Sequence, residues 1–217
     1  MTFWKILTVL AGGAGYTILV TMASIGAGLT VGLLLAVLST VQWKAARMFL
    51  AVYTYVFRGI PILVLLFIFF FGLPGIGIRI SPFVSMVATL GLVSGAYLAE
   101  VFRGAMAAVA PDEILAAEAA GLNRWETFLY IILPQMFRMS IPGMINEFTS
   151  VLKYTPFAYT VGIPEIMKEA MSLAALTLRG LEIYLAVGIL YFLIYKLFVM
   201  LFLTLEKKFR IPGLAPE

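Results

Sequence analysis

The 217-residue sequence contains no cysteine and no histidine. Without thiols or imidazoles the chain offers no disulfide, no thiolate or imidazole metal site and no Ser-His-Asp triad. It also has no G-x-x-x-x-G-K-[ST] segment, the loop that holds nucleotide phosphates in many ATPases. We therefore expect no catalytic residue, no metal site and no cofactor bound by this chain, which is not predicted to be an enzyme by itself.

Charge is scarce as well, and long apolar segments take its place. Charged residues make up 12% of the chain, about half of the roughly 25% typical of soluble domains, whereas 63% are hydrophobic. No charge occurs over Ile6–Trp43, Gly59–Ile78 or Ile80–Ala99. A helix of roughly 20 apolar residues crosses a bilayer, and the period-two alternation of barrels is absent. The pattern predicts an all-α, polytopic membrane protein.

The hydrophobic segments predict five spans in a single transmembrane domain, residues 1–217. We expect them within Ala14–Thr40 and Phe49–Phe71, and over Pro82–Ala105, Leu133–Ala158 and Leu181–Leu205. The first span is rich in glycine, and small residues at helical spacing indicate close packing between helices.

Basic residues are divided unequally between the two sides of these spans. One side, which includes the loop between spans three and four, has nine: Lys44, Arg47, Arg58, Arg103, Arg124, Arg138, Lys207, Lys208 and Arg210. The other side has four: Lys5, Arg79, Lys168 and Arg179. The positive-inside tendency predicts an N-terminus outside and a cytoplasmic C-terminus. Basic residues scattered over span ends suit membrane lipid headgroups rather than nucleic acid.

The loop between spans three and four, residues 106–130, has the local signals of a short helix. Pro111 suits a first helical turn, and the two acidic residues after it favour the positive end of the helix dipole. Gly121 is a typical helix-ending residue. A short helix at the inner membrane surface is able to dock in a groove of a soluble partner.

The same loop carries a recognisable spacing. Gly121, nine further residues, and then Ile131-x-Leu133-Pro134 resemble the second half of the EAA loop. That loop is the cytoplasmic element by which permease subunits of ABC importers dock onto their ATPase. Three other regions resemble, in order and spacing, the polar amino-acid permeases of the histidine, glutamine and arginine type. These are RGIP with FGLP at 58–74, YLAEVFRG at 97–104, and NEF, LK and VGIPE between 146 and 165.

The resemblance implies a type I ABC importer permease fold in a prokaryotic inner membrane, transporting a polar amino acid. It implies a partner ATPase dimer that binds ATP and Mg, a second permease subunit, the same or homologous, and an extracytoplasmic substrate-binding protein. The 106–130 segment becomes a cytoplasmic coupling loop. The residues expected to couple to the ATPase are Ala116, Ala117, Glu118, Gly121 and Arg124.

Two departures from the family pattern bear on these expectations. The motif anchored on Gly121 places a glutamate at position 115, where this chain has Leu115. Glu118 lies one turn later on nearly the same helical face, so it is a candidate to replace the missing polar contact. The second departure is Tyr154, which stands where the family has an aspartate after Lys153.

Span four contains the candidate substrate residues. Ionised groups inside a membrane usually face the bundle interior or a wet cavity, because exposure to lipid is costly. Glu147, Ser150 or Val151, and Tyr154 fall on one helical stripe. Pro156 disfavours helical geometry at Thr155, which predicts a break there. The substrate-binding candidates are Glu147, Lys153, Tyr154, Thr149 and, from span one, Ser24 and Met22.

Other readings of these residues remain open from sequence alone. Glu147 and Lys153 would serve equally as a structural ion pair that holds the bundle together. An ion-coupled secondary transporter of a small polar solute is the main alternative function, although no convincing internal repeat of the kind expected for that class is present. A membrane scaffold without transport activity is the third.

Overall fold

The computed structural model describes residues 2–41 and 43–209, and within those ranges the chain is helical and forms no strand. Arg210, one of the nine basic residues above, lies outside the described residues. The helices are α1 (Phe3–Ala11), α2 (Ala14–Ser39), α3 (Lys44–Gly59), α4 (Ile62–Phe67), α5 (Pro82–Ala107), α6 (Pro111–Ala119), α7 (Arg124–Thr127), α8 (Leu133–Tyr154), α9 (Ile166–Thr177) and α10 (Gly180–Phe209).

In the described part of the chain, four helical segments are long and apolar enough to cross a membrane: Ala14–Ser39, Pro82–Ala107, Arg124–Val161 and Gly180–Thr204. A fifth candidate is the pair Lys44–Gly59 and Ile62–Ile76, which is bent by 101°. The predicted all-α architecture of about five spans is confirmed.

The second span differs from the single helix expected within Phe49–Phe71. Helix α3 ends at Gly59, and Ile60 is extended, with φ −91° and ψ 132°. Proline disfavours the helical region for the residue before it, so Pro61 imposes this conformation on Ile60. The chain then restarts as α4 and continues through a π-helical turn at Ile68–Gly72 and a 3₁₀ turn at Leu73–Ile76.

Helices α2 and α5 form the closely packed centre of the molecule. A Cβ added at Gly28 would lie 1.8 Å from Ser94 Oγ, and one at Gly32 would lie 2.7 Å from Leu98 Cβ. Only glycine permits this approach, because any larger residue would push the helices apart. The prediction that glycines of the first span serve helix packing is confirmed at these two positions.

The buried apolar residues fall into two clusters. The larger combines α2, α5 and α8 with the apolar segment after Pro61, and its largest fully buried side chains include Phe102, Phe148 and Met86. The smaller joins α1, α9 and the first half of α10 around Ile6, Ile166 and other aliphatic residues. The short helix α1 is therefore packed on the bundle rather than free at its edge.

Candidate functional site

A cavity of about 490 Å³ opens beside the C-terminal part of α8. Its α8 wall is the stripe formed by Glu147, Ser150, Val151 and Tyr154. These positions follow one another at helical spacing, so the stripe predicted from the sequence is the surface that faces the cavity. The ring of Phe157 extends the wall and stacks on Tyr154, with centroids 6.3 Å apart.

The opposite wall comes from the break between α3 and α4 and from α5. Phe57 to Leu63 contribute the broken segment, and α5 contributes Ser94 and Tyr97 among others. The guanidinium of Arg58 lies over the Tyr97 ring at 4.7 Å from its centroid. A side-chain hydrogen bond from Tyr53 to the carbonyl of Leu92, at 2.8 Å, holds α3 against α5 nearby.

Two opposite charges therefore meet at one cavity. Glu147 is 8% exposed and receives no hydrogen bond from any described residue, although it interacts electrostatically with Arg58. A buried carboxylate normally has hydrogen-bond donors, because desolvation without them is costly. Intramembrane ionisable groups that face a cavity in this way mark substrate or ion pathways.

The other substrate candidates are placed away from the lining of this cavity. Lys153 is exposed, with its ammonium 5.7 Å from the centroid of the Tyr195 ring on α10. Thr149 is buried and donates to the carbonyl of Asn146 at 2.8 Å. Ser24 is buried with a hydroxyl that has no partner among the described residues, and Met22 is 48% exposed.

Sequence reasoning did not single out Arg58 or Tyr97 as site residues. Arg58 entered only as a basic residue near a span end and as part of a family segment, and Tyr97 only as part of a family segment. The usable signal was an arginine followed two residues later by the Ile60-Pro61 break, since broken helices line binding sites in many transporters.

The expected break at Thr155 is not present. Thr155 keeps right-handed helical geometry, φ −58° and ψ −29°, and its hydroxyl donates to the carbonyl of Leu152 at 2.7 Å. Pro156 occupies the first turn of a 3₁₀ segment, Thr155–Val161, where a missing N–H costs nothing. The helical path ends at Gly162, with φ +91°, a left-handed conformation that suits glycine.

The loop between α5 and α8 folds as the sequence signals indicated. Helix α6 begins at Pro111, and Gly121 follows its end with φ +85°. The N–H of Leu122 then donates to the carbonyl of Ala117 at 3.1 Å, which closes the helix end. Asn123 starts α7 with a capping box completed by Glu126.

The five coupling candidates lie on or just after α6. Ala116, Glu118, Gly121 and Arg124 are exposed, whereas Ala117 is 6% exposed and faces inward. Leu115 is exposed as well, on the same side as Glu118. The loop is tied to the bundle by a hydrogen bond from the amide of Gln135 on α8 to the carboxylate of Glu113.

A second buried carboxylate lies outside the spans, at the start of α9. Glu165 is fully buried and accepts hydrogen bonds from the N–H groups of Met167 and Lys168, both at 2.8 Å, and from the Tyr191 hydroxyl at 2.7 Å. Burial raises the pKa of Glu165 above its ordinary value of 4.5, and the three donors oppose that effect. Next to it, the N–H of Ile166 donates to Thr17 Oγ1 at 3.4 Å.

Known transport proteins resemble the whole chain. The glutamine transport system permease protein GlnP of Escherichia coli strain K12 is 32% identical over 210 residues, covering 96% of both chains. The histidine/lysine/arginine/ornithine transport system permease protein HisQ of the same strain is 30% identical over 214 residues, covering 94% of both. The resemblance to polar amino-acid permeases is confirmed, and the secondary-transporter alternative is not favoured.

Solved structures agree in fold. An amino acid ABC transporter, crystallised with histidines, has a chain that superposes with a TM-score of 0.87 at 27% identity, covering 96% of this chain and 99% of that one. The MetNI methionine ABC transporter, in an inward-facing conformation, gives a TM-score of 0.79 at 18% identity over 95% of this chain, which supports the fold alone.

The family whose description is "binding-protein-dependent transport system inner membrane component" matches residues 28–211. Such components are permease subunits that work with a second permease and with an ATPase that hydrolyses ATP. With its helical bundle and this match over most of its length, the chain belongs to the inner membrane permease subunits of ABC importers.

Proposed function

We propose that this permease carries a polar amino acid through the Glu147 cavity. The observation that supports this most directly is that Glu147 and Arg58, of opposite charge, line the same cavity. An amino acid carries an ammonium and a carboxylate, so it needs one charge of each sign to receive it. The relatives are themselves named for glutamine and for histidine, lysine, arginine and ornithine transport.

In this proposal Glu147 receives the ammonium and Arg58 receives the carboxylate. Lys153 was the basic partner that the sequence suggested, but its ammonium lies over the Tyr195 ring and it does not line the cavity. Arg58 suits the role because its planar guanidinium can bind a carboxylate through two parallel hydrogen bonds. The Tyr97 ring faces the same guanidinium.

Tyr154 sets the side-chain preference. It replaces the acidic residue of the family pattern and contributes an aromatic ring and a hydroxyl to the cavity wall. With no second carboxylate there, a neutral or acidic side chain is favoured over a strongly cationic one. Uptake of arginine, glutamine and glutamate by the wild type and by Tyr154→Asp tests this. Strong arginine uptake by the wild type would sink it.

The loop 106–130 couples the permease to the ATPase. Ala116, Glu118, Gly121 and Arg124 form the contact, and buried Ala117 seats α6 on the bundle behind it. Glu118 supplies the polar contact that Leu115 cannot make. This chain is not itself an enzyme, because ATP and Mg are bound and used by the partner ATPase subunits.

The topology that goes with this mechanism has the N-terminus outside and the C-terminus in the cytoplasm. Without Arg58, which lines the Glu147 cavity, the basic residues divide eight to four, and this distribution supports it, since it puts the coupling loop on the cytoplasmic side. An extracytoplasmic binding protein delivers substrate at the opposite face. Lipid headgroups contact the basic residues at the span ends that line neither cavity, and nucleic acid is not a partner.

The decisive experiment is purification of the tagged chain in mild detergent, followed by mass spectrometry of the co-purifying proteins. We expect an ABC ATPase at about one copy per permease and its loss on Gly121→Asp, because a side chain is strained at φ +85° and the new charge faces the docking surface. The control is Gly75→Asp, which changes an exposed glycine between α4 and α5, in the loop opposite the coupling loop. A complex-free chain that still moved solute down an ion gradient would overturn the proposal.

A further inference from the structure

A second and larger cavity, of about 800 Å³, lies between α3 on one side and α2 and α5 on the other. It shares Arg58, Gly59 and Tyr97 with the Glu147 cavity, so the two adjoin at these residues. From there it extends to Arg47, near the start of α3, and to Arg103, near the end of α5. That end of the bundle is the one from which the coupling loop emerges. We name this second cavity the inner groove.

The inner groove has an uncompensated positive charge. Its lining contains three arginines and one acidic residue, Glu100. Glu100 pairs with Arg103, and Arg58 lies over Tyr97. The Arg47 side chain has no hydrogen bond, ion pair or ring contact with the described residues, and only its backbone N–H donates, to the carbonyl of Trp43. A concave surface with one net sign of charge and apolar walls attracts ions of the opposite sign.

We propose that the inner groove is the second half of the permeation path and that Arg47 forms a transient site there for the substrate carboxylate. The proposal rests on the proposed function, since it takes the cargo to be an amino acid. Arg58 lines both cavities and so lies where the two adjoin. The carboxylate passes from Arg58 to Arg47, about three turns nearer the coupling loop on the same helix.

The two cavities differ in what they offer to an ammonium group. Glu147 receives no hydrogen bond from the described residues and is available to bind a cation. Glu100 is already engaged by Arg103. An amino acid that enters the inner groove therefore keeps a partner for its carboxylate but has a weaker one for its ammonium. It is held less tightly than in the Glu147 cavity, which favours release on the coupling-loop side.

The absence of cysteine makes a direct chemical test possible. Ala51→Cys puts one thiol in the inner groove and Ser150→Cys puts one in the Glu147 cavity. The complete transporter, permease with ATPase, is placed in nanodiscs so that both faces meet the reagent. An anionic and a cationic methanethiosulfonate of similar size are compared, and labelling is read from the mass of the permease chain.

At Ala51→Cys we expect the ratio of the anionic to the cationic labelling rate to be several-fold higher than the same ratio for a small free thiol. Adding Arg47→Gln should remove most of this preference for the anionic reagent. The matched control is Lys44→Gln, which removes a positive charge from the same end of α3 but does not line the groove. An equal loss with Lys44→Gln, or no preference for the anion, would contradict a specific role for Arg47.

Substrate protection then links the groove to transport. Millimolar amounts of the amino acid that the complex takes up should slow labelling of Ala51→Cys at least threefold, and Arg47→Gln should abolish that protection. Thr54→Cys, also in the groove, serves as a second reporter if Ala51→Cys fails to assemble.

The outcomes separate this inference from the proposed function. Protection at Ser150→Cys but not at Ala51→Cys overturns the exit path and leaves the amino-acid cavity standing. Protection at neither position, together with no amino-acid uptake, overturns both. Failure of either reagent to reach Ala51→Cys in a complex that transports means that the second permease covers the groove, which also overturns the path.

Discussion

Two glutamates are buried among the described residues, and they differ in almost every other respect. Glu165 accepts three hydrogen bonds at 2.7–2.8 Å. Two come from the start of α9 and the third from Tyr191, so Glu165 connects the start of α9 to the middle of α10. Glu147 accepts none from the described residues and faces a cavity with an arginine on its far side. Both are buried acidic residues in a chain that is 63% hydrophobic. Burial alone therefore does not tell a structural glutamate from a functional one.

The difference shows how structural and functional charge can be told apart. A carboxylate whose acceptor sites are filled by the protein has nothing left for a ligand, and it stabilises the elements that supply the donors. A carboxylate left without donors destabilises the fold unless something else binds it. We therefore propose that Glu147 is one of the groups that proteins keep at a stability cost because a function needs them.

The largest effect is expected for Glu165→Ala. The change removes the cap of α9 and leaves the Tyr191 hydroxyl without its acceptor, so we expect a loss of roughly 2–4 kcal/mol in the free energy of unfolding. Thermal unfolding of the purified protein in detergent measures it. The control is Glu169→Ala, one turn further along α9, which accepts no hydrogen bond from a described side chain. Equal losses from both variants would mean that the cap is unimportant.

Glu147→Gln should preserve the stability of the protein and impair its transport, the opposite of what is expected for Glu165→Ala. Removing a charge that has no hydrogen-bond donor leaves the unfolding temperature unchanged or raises it. Transport should fall, because a charge-assisted hydrogen bond of about 1.5–3 kcal/mol to the substrate ammonium is lost, which corresponds to roughly 10–100-fold in affinity. Uptake into proteoliposomes and unfolding are measured on the same preparation. A destabilised protein with normal uptake per folded molecule would assign Glu147 to structure.

Tyr191→Phe refines the description of Glu165. It deletes one of three donors and leaves the ring in place, so a loss of about 1 kcal/mol in stability is expected, with uptake per folded molecule unchanged. Tyr195→Phe, one helical turn away on α10, removes a hydroxyl for which the structure shows no hydrogen bond. If both variants are equally destabilised, the Tyr191–Glu165 bond is not what connects α9 to α10.

Much of the fold could be predicted from the sequence, and the same physical reasons explain which parts could not. The apolar lengths of α2, α5 and α10 and the ending of α6 at Gly121 follow from local signals that tertiary contacts do not override. Pro61 in the sequence disfavours a continuous helix at Ile60. The 101° angle between the two flanking helices, however, depends on their packing against α5. The bend is what brings Arg58 to the cavity.

The site was readable only along a single helix. Helical spacing put Glu147, Val151 and Tyr154 on one face of α8. The partner of Glu147 could not be found in this way, because Arg58 comes from another helix and is 89 positions earlier in the sequence. Lys153, on the same helix, was the basic candidate from the sequence, but proximity along the chain is a poor guide to which side of a helix faces a cavity.

The smallest effect, and the one that tests that distinction, is expected for Lys153→Gln. Because Lys153 does not line the cavity, its loss should change the KM for uptake by less than about twofold, whereas Arg58→Gln should raise it about tenfold through the lost contact to the carboxylate. Inhibition of uptake by the α-amide of the transported amino acid separates the two roles. The wild type should discriminate strongly against this carboxylate-free analogue, as should Lys153→Gln, while Arg58→Gln should discriminate weakly. The reverse pattern would mean that Lys153 binds the substrate carboxylate. Both charged residues of the site would then lie on the single helix α8.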